Sequence, residues 1–269
     1  MKIVFWGEED EELVRSNMLA VSTYLATRGD YRAVMIAAGK KKTDISKYFA
    51  GSAGDACYVK ESCAYYALEG LDYLMAAGKR GKLSKLQVQN SMKSLMGRRL
   101  YCIGQKEDMG SRVETKSRFD ILEQVISLAN ELVDFTFIDC GCERDEWTRQ
   151  RFREADLVVV NFKQSSHALE KFFLSEGRIP ERCCYVVGDY QRDSVYNKRN
   201  LNRMYRIEPE QIGAIPYNME FHLAYQKGQL DKFMKGRGNL YSGGDKKYFF
   251  DELEKTMQIL LGYHEDGEV

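Results

Sequence analysis

Short apolar segments recur along the 269-residue chain, and stretches with helical periodicity separate most of them. Each segment has the length of a strand and few alternating polar residues, which is typical of strands buried on both faces of a parallel sheet. The intervening helices must bury their own apolar stripes against that sheet. The sequence therefore predicts a doubly wound α/β fold, with a mostly parallel sheet and helices on both faces. The predicted strands are 2–6, 33–38, 99–103, 134–139, 156–162, 183–187 and 212–215.

Helical patterns follow the same alternation. After the first strand, Leu13, Val14, Met18, Val21 and Leu25 recur on one helical face. Further helices are predicted over 61–77, 83–96, 117–132 and 165–174. Ligands of such folds bind beyond the carboxyl ends of the parallel strands, which directs the search for function to one edge of the sheet. The positions to inspect follow Trp6, Ala38, Asp139, Phe162, Gly188 and Ile215.

Composition and charge argue against several classes of protein. Forty basic residues balance forty acidic ones, so the overall charge offers no basis for a dedicated nucleic-acid binder. No apolar stretch approaches the ~20 residues of a membrane span, and the first strand runs into acidic residues instead of the apolar region of a signal peptide. Seven cysteines, an odd number, are expected to be reduced thiols. With only three prolines and no linker-like tract, we expect one cytoplasmic domain over 1–269.

Five segments, in order, resemble the MinD/ParA family of deviant P-loop ATPases. The first strand and residues 16–26 are similar to the family's first strand and the helix after its phosphate loop. VDFTFIDCG, residues 133–141, resembles the Walker B strand. The other similar segments are the next strand and helix (154–173), the base-recognition strand and loop (185–203), and the segment written lG.IPyd..v..A...G (212–233).

The phosphate loop departs from this family. Its pattern is K-G-G-x-G-K-[ST], in which glycines let backbone N–H groups cradle phosphates, whereas residues 10–16 read DEELVRS. Asp10 replaces the signature lysine and Arg15 the phosphate-binding lysine, and only Ser16 keeps its type, that of a magnesium-liganding hydroxyl. Five carboxylates in 8–12 would meet the triphosphate, and each like-charge pair at ~6 Å costs about 3 kcal/mol even at an effective dielectric of 20.

The second strand also lacks the acid that the family uses to order the attacking water, since it ends Met-Ile-Ala-Ala-Gly at 35–39. Asp139 remains at the Walker B position and could hold a metal-bound water. No catalytic residue is therefore expected beyond Asp139 as a remnant, and no cofactor, although the resemblance implies ATP and Mg²⁺ if the site is retained. The vestigial nucleotide site implied by the resemblance comprises Arg15, Ser16, Asp139, Asp189 and Pro216, with Ser16 and Asp139 as the magnesium ligands.

Three hypotheses about function follow from these observations. The first is a non-hydrolysing platform that dimerises or binds a protein through the carboxyl ends of the strands, similar to the TadZ/CpaE proteins, which localise pilus and secretion machinery. Such a platform would be recruited to a membrane-associated complex. The second is a genuine ATPase whose acidic loop rearranges around nucleotide. A third hypothesis is that the acidic loop itself recruits a basic partner.

Three further segments are candidates for a surface that binds a partner or a membrane. Residues 191–206 are polar, basic and partly aromatic, and we take them as the best candidate surface for a partner. The basic run 40–42 is expected to be a solvated turn. The apolar residues of 246–261 form a helical stripe, but its acidic polar face would be repelled by anionic lipid, so a core-packed helix is predicted instead of a membrane-binding one.

Cysteines and histidines give no metal pattern. Cys140 and Cys142 would lie at the carboxyl end of one strand and Cys183 and Cys184 at the amino end of another, so a four-thiolate zinc site is disfavoured. Buried thiols behave as small apolar residues, which is the interpretation we prefer. The histidines have no companion at ligand spacing; they are His167, His222 and His264.

Overall fold

The computed structural model describes residues 1–39, 43–49, 69–105, 116–174, 182–236 and 244–265. Within them eight strands form one sheet in the order β3-β4-β2-β5-β1-β6-β7-β8. All neighbours pair in parallel except β3 and β4. The strands are β1 (Lys2–Gly7), β2 (Ala33–Ala37), β3 (Lys93–Met96), β4 (Leu100–Ile103), β5 (Phe135–Asp139), β6 (Leu157–Phe162), β7 (Cys183–Tyr190) and β8 (Ile212–Pro216). The predicted fold class and its parallel strands are therefore confirmed.

Helices follow the strands in the described part of the chain. Before β3 come α1 (Glu11–Arg28), α2 (Gly70–Gly78) and α3 (Lys85–Ser91). After β4 come α4 (Lys116–Asn130), α5 (Glu146–Glu154), α6 (Ser166–Leu174), α7 (Lys198–Tyr205), α8 (Met219–Gln226), α9 (Leu230–Lys235) and α10 (Asp245–Glu265). None of the described helices is long and apolar enough to cross a membrane.

The helix predicted over 83–96 is wrong in its second half. A capping box formed by Ser84 and Gln87 starts α3, but the backbone is already in an extended conformation at Met92. Lys93–Met96 then pairs antiparallel with β4 across a turn in which Gly97 has φ 62°. Only three residues separate the strands, so tertiary pairing at the sheet edge overrides the local helical pattern. Much of the helix predicted over 61–77 lies outside the described residues, as do the basic residues 40–42.

Two apolar layers cover the sheet. On one face α1, α8, α9 and α10 pack together with the short 3₁₀ helix Ile45–Tyr48, and on the other lie α2 to α7. The stripe of α10 is buried at Phe249, Leu253 and Met257, and Thr256 Oγ1 donates to the Ala214 carbonyl of β8 at 2.8 Å. The prediction of a core-packed helix over 246–261 is confirmed.

β1 lies at the centre, between β5 and β6. From it the sheet extends through β5 to β2 on one side and through β6 to β7 on the other, so the crossovers leave in opposite directions. Such a reversal opens a crevice beyond the carboxyl end of the central strand, where ligands of doubly wound folds bind. The loop from β1 to α1 lies at this crevice.

Candidate functional site

The turn from β1 into α1 is short because the helix begins at Glu11, four residues after the strand ends. Asp10 caps the helix: its Oδ1 accepts a hydrogen bond from the Leu13 N–H at 2.9 Å. The other Asp10 oxygen forms an ion pair with Lys163, which directly follows β6, at 2.6 Å. Burial alone would raise the pKa of Asp10, but the hydrogen bonds from Lys163 and Leu13 outweigh it and leave the pKa below its ordinary value of 3.8.

The two glutamates before Asp10 are paired as well. Glu8 is almost fully buried and forms ion pairs with Arg144, in the loop after β5, and with Lys171 of α6. Lys171 also lies 3.3 Å from Glu9. Cations from three other segments, namely the loops after β5 and β6 and the helix α6, thus pair with the acidic loop, defined here as residues 8–12. These pairs were not predicted from the sequence, where the one signal for them is that Lys163 and Arg144 also follow strand ends.

At the centre of the crevice Arg15 and Asp139 form an ion pair, with 3.1 Å between Arg15 Nε and Asp139 Oδ2. Their side chains are only 11% and 3% exposed. Asp139 Oδ1 accepts a further hydrogen bond from the Gly141 N–H at 3.0 Å. Burial raises the pKa of Asp139, which Arg15 and the Gly141 N–H partly counteract. Burial alone would lower the pKa of Arg15, yet Asp139 and the neighbouring Tyr48 and Tyr225 together outweigh it, and the pKa is raised.

Two tyrosines interact with the Arg15 guanidinium. Tyr48, from the 3₁₀ helix, and Tyr225, from α8, both raise the pKa of Arg15. The Tyr48 ring stacks on Tyr225 of α8 with 4.4 Å between centroids, and their hydroxyls are 3.2 Å apart. Arg15 therefore interacts with both Asp139 and this aromatic pair.

Ser16, the predicted magnesium ligand, is turned towards its own helix. Its hydroxyl donates to the Leu13 carbonyl at 3.3 Å, and the residue is buried. Such an i−3 hydrogen bond is a common local partner for serine within a helix. Both side chains predicted to hold magnesium, Ser16 and Asp139, are thus engaged in hydrogen bonds with other groups of the protein.

Asp189 and Pro216 lie at the same edge of the sheet but farther from the centre. Asp189, with φ 48°, accepts or shares a hydrogen bond with His222 Nε2 at 2.9 Å. Pro216 ends β8 and pairs with Tyr190 after a bulge in β7. Within the described residues no hydrogen bond or ion pair joins either to Arg15 or Asp139. The five predicted site residues thus separate into a central group and a lateral pair.

A buried amide pair, also missed by the sequence analysis, connects α1 to the sheet. Asn17 Nδ2 donates to Asn161 Oδ1 at 3.0 Å, and Asn161 Nδ2 donates to the Trp6 carbonyl at 3.0 Å. Next to it, a Cβ at Gly188 would lie 2.5 Å from Leu13 Cδ1 and 2.8 Å from Asn17 Nδ2. Glycine at 188 therefore allows β7 to approach α1 closely.

No cluster of metal-ligating side chains occurs within the described residues. Cys140 and Cys142 follow the carboxyl end of β5, whereas Cys183 and Cys184 open β7, at the opposite edge of the parallel sheet, as predicted. Burial, with the acidic loop's charges, raises the pKa of Cys142 to about 12. The remaining cysteines at 57 and 63 lie outside the described part.

Solved structures match this architecture over almost the whole chain. A ParA family ATPase from Chlorobium tepidum TLS superposes with a TM-score of 0.65, at 13% identity, over 94% of this chain and 95% of the other. The protein has the fold of the MinD/ParA ATPases. The cell-division ATPase MinD of Pyrococcus furiosus also has a TM-score of 0.65, at 13% identity, over 96% of this chain and 98% of MinD.

A third neighbour with the MinD/ParA fold is the septum site-determining protein MinD of Pyrococcus horikoshii, in complex with Mg-ADP. Its TM-score is 0.63, at 10% identity, over 94% of each chain. No protein-family model and no curated protein matches the sequence. The likeness therefore concerns the fold, and the functional argument rests on the residues of the site.

Proposed function

We propose that residues 1–269 form a single MinD/ParA-like domain that does not hydrolyse ATP and acts as a dimerisation or localisation platform for a larger assembly. The observation that carries this proposal is the buried ion pair between Arg15 and Asp139. The residue at the phosphate-lysine position neutralises the residue at the Walker B position. Each therefore satisfies the other in the absence of nucleotide.

The donor set does not fit a magnesium-bound triphosphate. Phosphate binding would have to draw Arg15 away from Asp139, and breaking a buried pair leaves an uncompensated charge that costs about 3–5 kcal/mol. Metal binding would also have to turn the Ser16 hydroxyl away from Leu13. The carboxylates of the acidic loop would also repel the phosphates. Although the Pyrococcus horikoshii MinD binds Mg-ADP, we infer that this chain takes no cofactor at this site.

We further propose that the partner, a protein or a second copy of this chain, docks at the carboxyl ends of the strands. Three exposed apolar side chains support this surface, and they follow β8 directly: Tyr217, Met219 and Leu223. Exposed apolar side chains grouped in this way mark interaction surfaces. The assembly served would be cytoplasmic, or recruited to a membrane-associated complex such as pilus, secretion or partition machinery.

Calorimetric titration with magnesium-ATP, together with thermal melting in the same buffer, tests the proposal that the protein binds no nucleotide at this site. We expect no binding heat and no rise in Tm, because a ligand that binds only the native state would stabilise it. Sedimentation velocity with and without nucleotide should show that any self-association is independent of ATP.

The alternative is an active or nucleotide-binding ATPase with a noncanonical acidic loop. It predicts a magnesium-dependent isotherm that disappears in Asp139→Ala and persists in Asp120→Ala, a control that removes an exposed carboxylate of α4. An isotherm with this variant pattern would overturn the platform proposal and lead to hydrolysis assays on Arg15 and Ser16 variants.

A further inference from the structure

The segment from the end of β7 through α7 concentrates positive charge in a protein whose formal net charge is zero. Residues 191–206 contain a single acidic residue, Asp193, against five basic ones, which are Arg192, Lys198, Arg199, Arg203 and Arg206. Lys198 has a structural partner, because its Nζ donates to the buried Glu252 of α10 at 2.5 Å. Arg192 lies over the Tyr248 ring at 5.7 Å. The other three arginines are exposed.

Within the described part of the chain, Arg199, Arg203 and Arg206 form no ion pair. Arg199 and Arg203 are four residues apart and therefore share one face of α7, where like charges destabilise a helix. The first turn of α7 holds Lys198 and Arg199 and no acidic residue, which opposes the helix dipole, whereas Arg203 in the last turn complements it. The stability of α7 therefore does not explain Arg199 or its placement beside Arg203 on one face.

Apolar side chains lie beside the arginines. Val195 is 71% exposed and Met204 55% exposed. The Asn200 side chain donates to the Val195 carbonyl at 2.8 Å, which holds the loop before α7 against the helix. Asn200 and Met204 form the row next to Arg199 and Arg203 on the helix surface. Leu201, on the opposite face, is buried and anchors α7 to the core.

We propose that this basic surface, consisting of Val195, Arg199, Arg203, Met204 and Arg206, binds an acidic segment of a partner protein that also carries apolar side chains. Arginine and methionine are enriched at protein interfaces, and an acidic segment would supply the missing counter-charges. The inference rests on the partner-binding part of the proposed function and is independent of whether ATP is hydrolysed.

The surroundings of the basic surface favour a short acidic segment over nucleic acid. Exposed acidic residues border it on both sides, at Asp193 before α7 and at Glu208 and Glu210 after it. A duplex presents one phosphate charge per ≈ 1.7 Å, so it would extend past the arginines and meet these carboxylates. An acidic peptide with apolar side chains also uses Val195 and Met204, which a phosphate backbone does not.

Peptide selection tests the inference on the full chain. A random-peptide phage library is selected on the wild-type protein and counter-selected on Arg199→Gln/Arg203→Gln. Enriched peptides should be acidic and should carry apolar residues. A fluorescein-labelled copy of the most enriched peptide should bind the double variant at least about tenfold more weakly, and Met204→Ser several-fold more weakly.

The matched control is Arg80→Gln/Arg98→Gln, which removes the same charge from exposed positions outside the surface and should bind the peptide as the wild type does. Equal Tm values verify that all variants are folded. The inference is overturned if selection yields no acidic consensus, if both double variants bind equally, or if a short DNA duplex binds more tightly than the peptide and is lost in the Arg199→Gln/Arg203→Gln variant. Because no step uses nucleotide, a magnesium-ATP isotherm would overturn only the proposal of a non-hydrolysing protein.

Discussion

The acidic loop and the basic surface carry strong charge of opposite sign, but they differ in how that charge is compensated. Glu8, Glu9 and Asp10 each lie against a cation from another element. The arginines of the basic surface, by contrast, form no ion pairs within the described residues. The ion-paired carboxylates of the acidic loop stabilise the fold itself. The arginines of the basic surface form no ion pair with the described residues and can therefore bind a partner. The hypothesis that the acidic loop recruits a basic partner is accordingly less favoured than an acidic partner at α7.

The largest expected effect concerns the pair at the centre of the crevice. Arg15→Ala leaves Asp139 buried without its counter-charge, so the free energy of unfolding should fall by about 3–5 kcal/mol, measured by urea denaturation. The double variant Arg15→Met/Asp139→Leu removes both charges and should recover most of that loss. If Arg15→Ala unfolds at the same urea concentration as the wild type, the pair does not stabilise the fold.

Within the acidic loop, truncation should cost less. Asp10→Ala removes both the helix cap and the Lys163 ion pair, so we expect a loss of about 0.5–2 kcal/mol in the free energy of unfolding. Glu12→Ala serves as the control, because it removes an exposed carboxylate two residues along and should change the stability by less than about 0.5 kcal/mol. Equal losses in the two variants would contradict the structural role assigned to Asp10.

Lowering the pH should remove part of the contribution that Asp10 makes to the free energy of unfolding. Because the folded-state pKa of Asp10 is below 3.8, its stabilisation is complete above that pH and is lost as the pH falls through the lower folded value. Protonation leaves an oxygen that still accepts hydrogen bonds, so the loss should be smaller than that from truncation. The difference in unfolding free energy between wild type and Asp10→Asn should therefore shrink on acidification. A difference that is constant with pH would show that Asp10 is not held as a carboxylate.

The smallest expected effect is a gain in stability, in contrast to the losses predicted above. Arg199→Glu places a carboxylate in the first turn of α7, where the helix dipole favours it, so the protein should gain about 0.3–1 kcal/mol in stability. The same variant should lose binding of the acidic peptide. Denaturation and peptide titration of one sample check both results. A destabilised Arg199→Glu would show that the arginine supports the fold and would weaken the contrast with the acidic loop.

The strands and long helices followed from local patterns, because a buried parallel strand is a continuous apolar run and α1 repeats its apolar residues at helical spacing. β3 could not be predicted in this way. Its four residues are half exposed and become a strand only by pairing with β4. For the site, resemblance pointed to Arg15 and Asp139 as separate remnants, but not to their direct contact.

The sequence by itself determined the α/β alternation, the acidic character of the first loop and the departure from the phosphate-binding pattern, since each is a property of neighbouring residues. Only the tertiary structure decided how those charges are compensated. The cations that pair with the acidic loop are distant from it in sequence; they are Arg144, Lys163 and Lys171. Parallel pairing of β1 with β5 and β6 brings their segments to the same edge of the sheet as the loop. Electrostatic energy depends on distance in space, so only the folded chain distinguishes the paired acidic loop from the arginines at α7, which form no ion pair with any described residue.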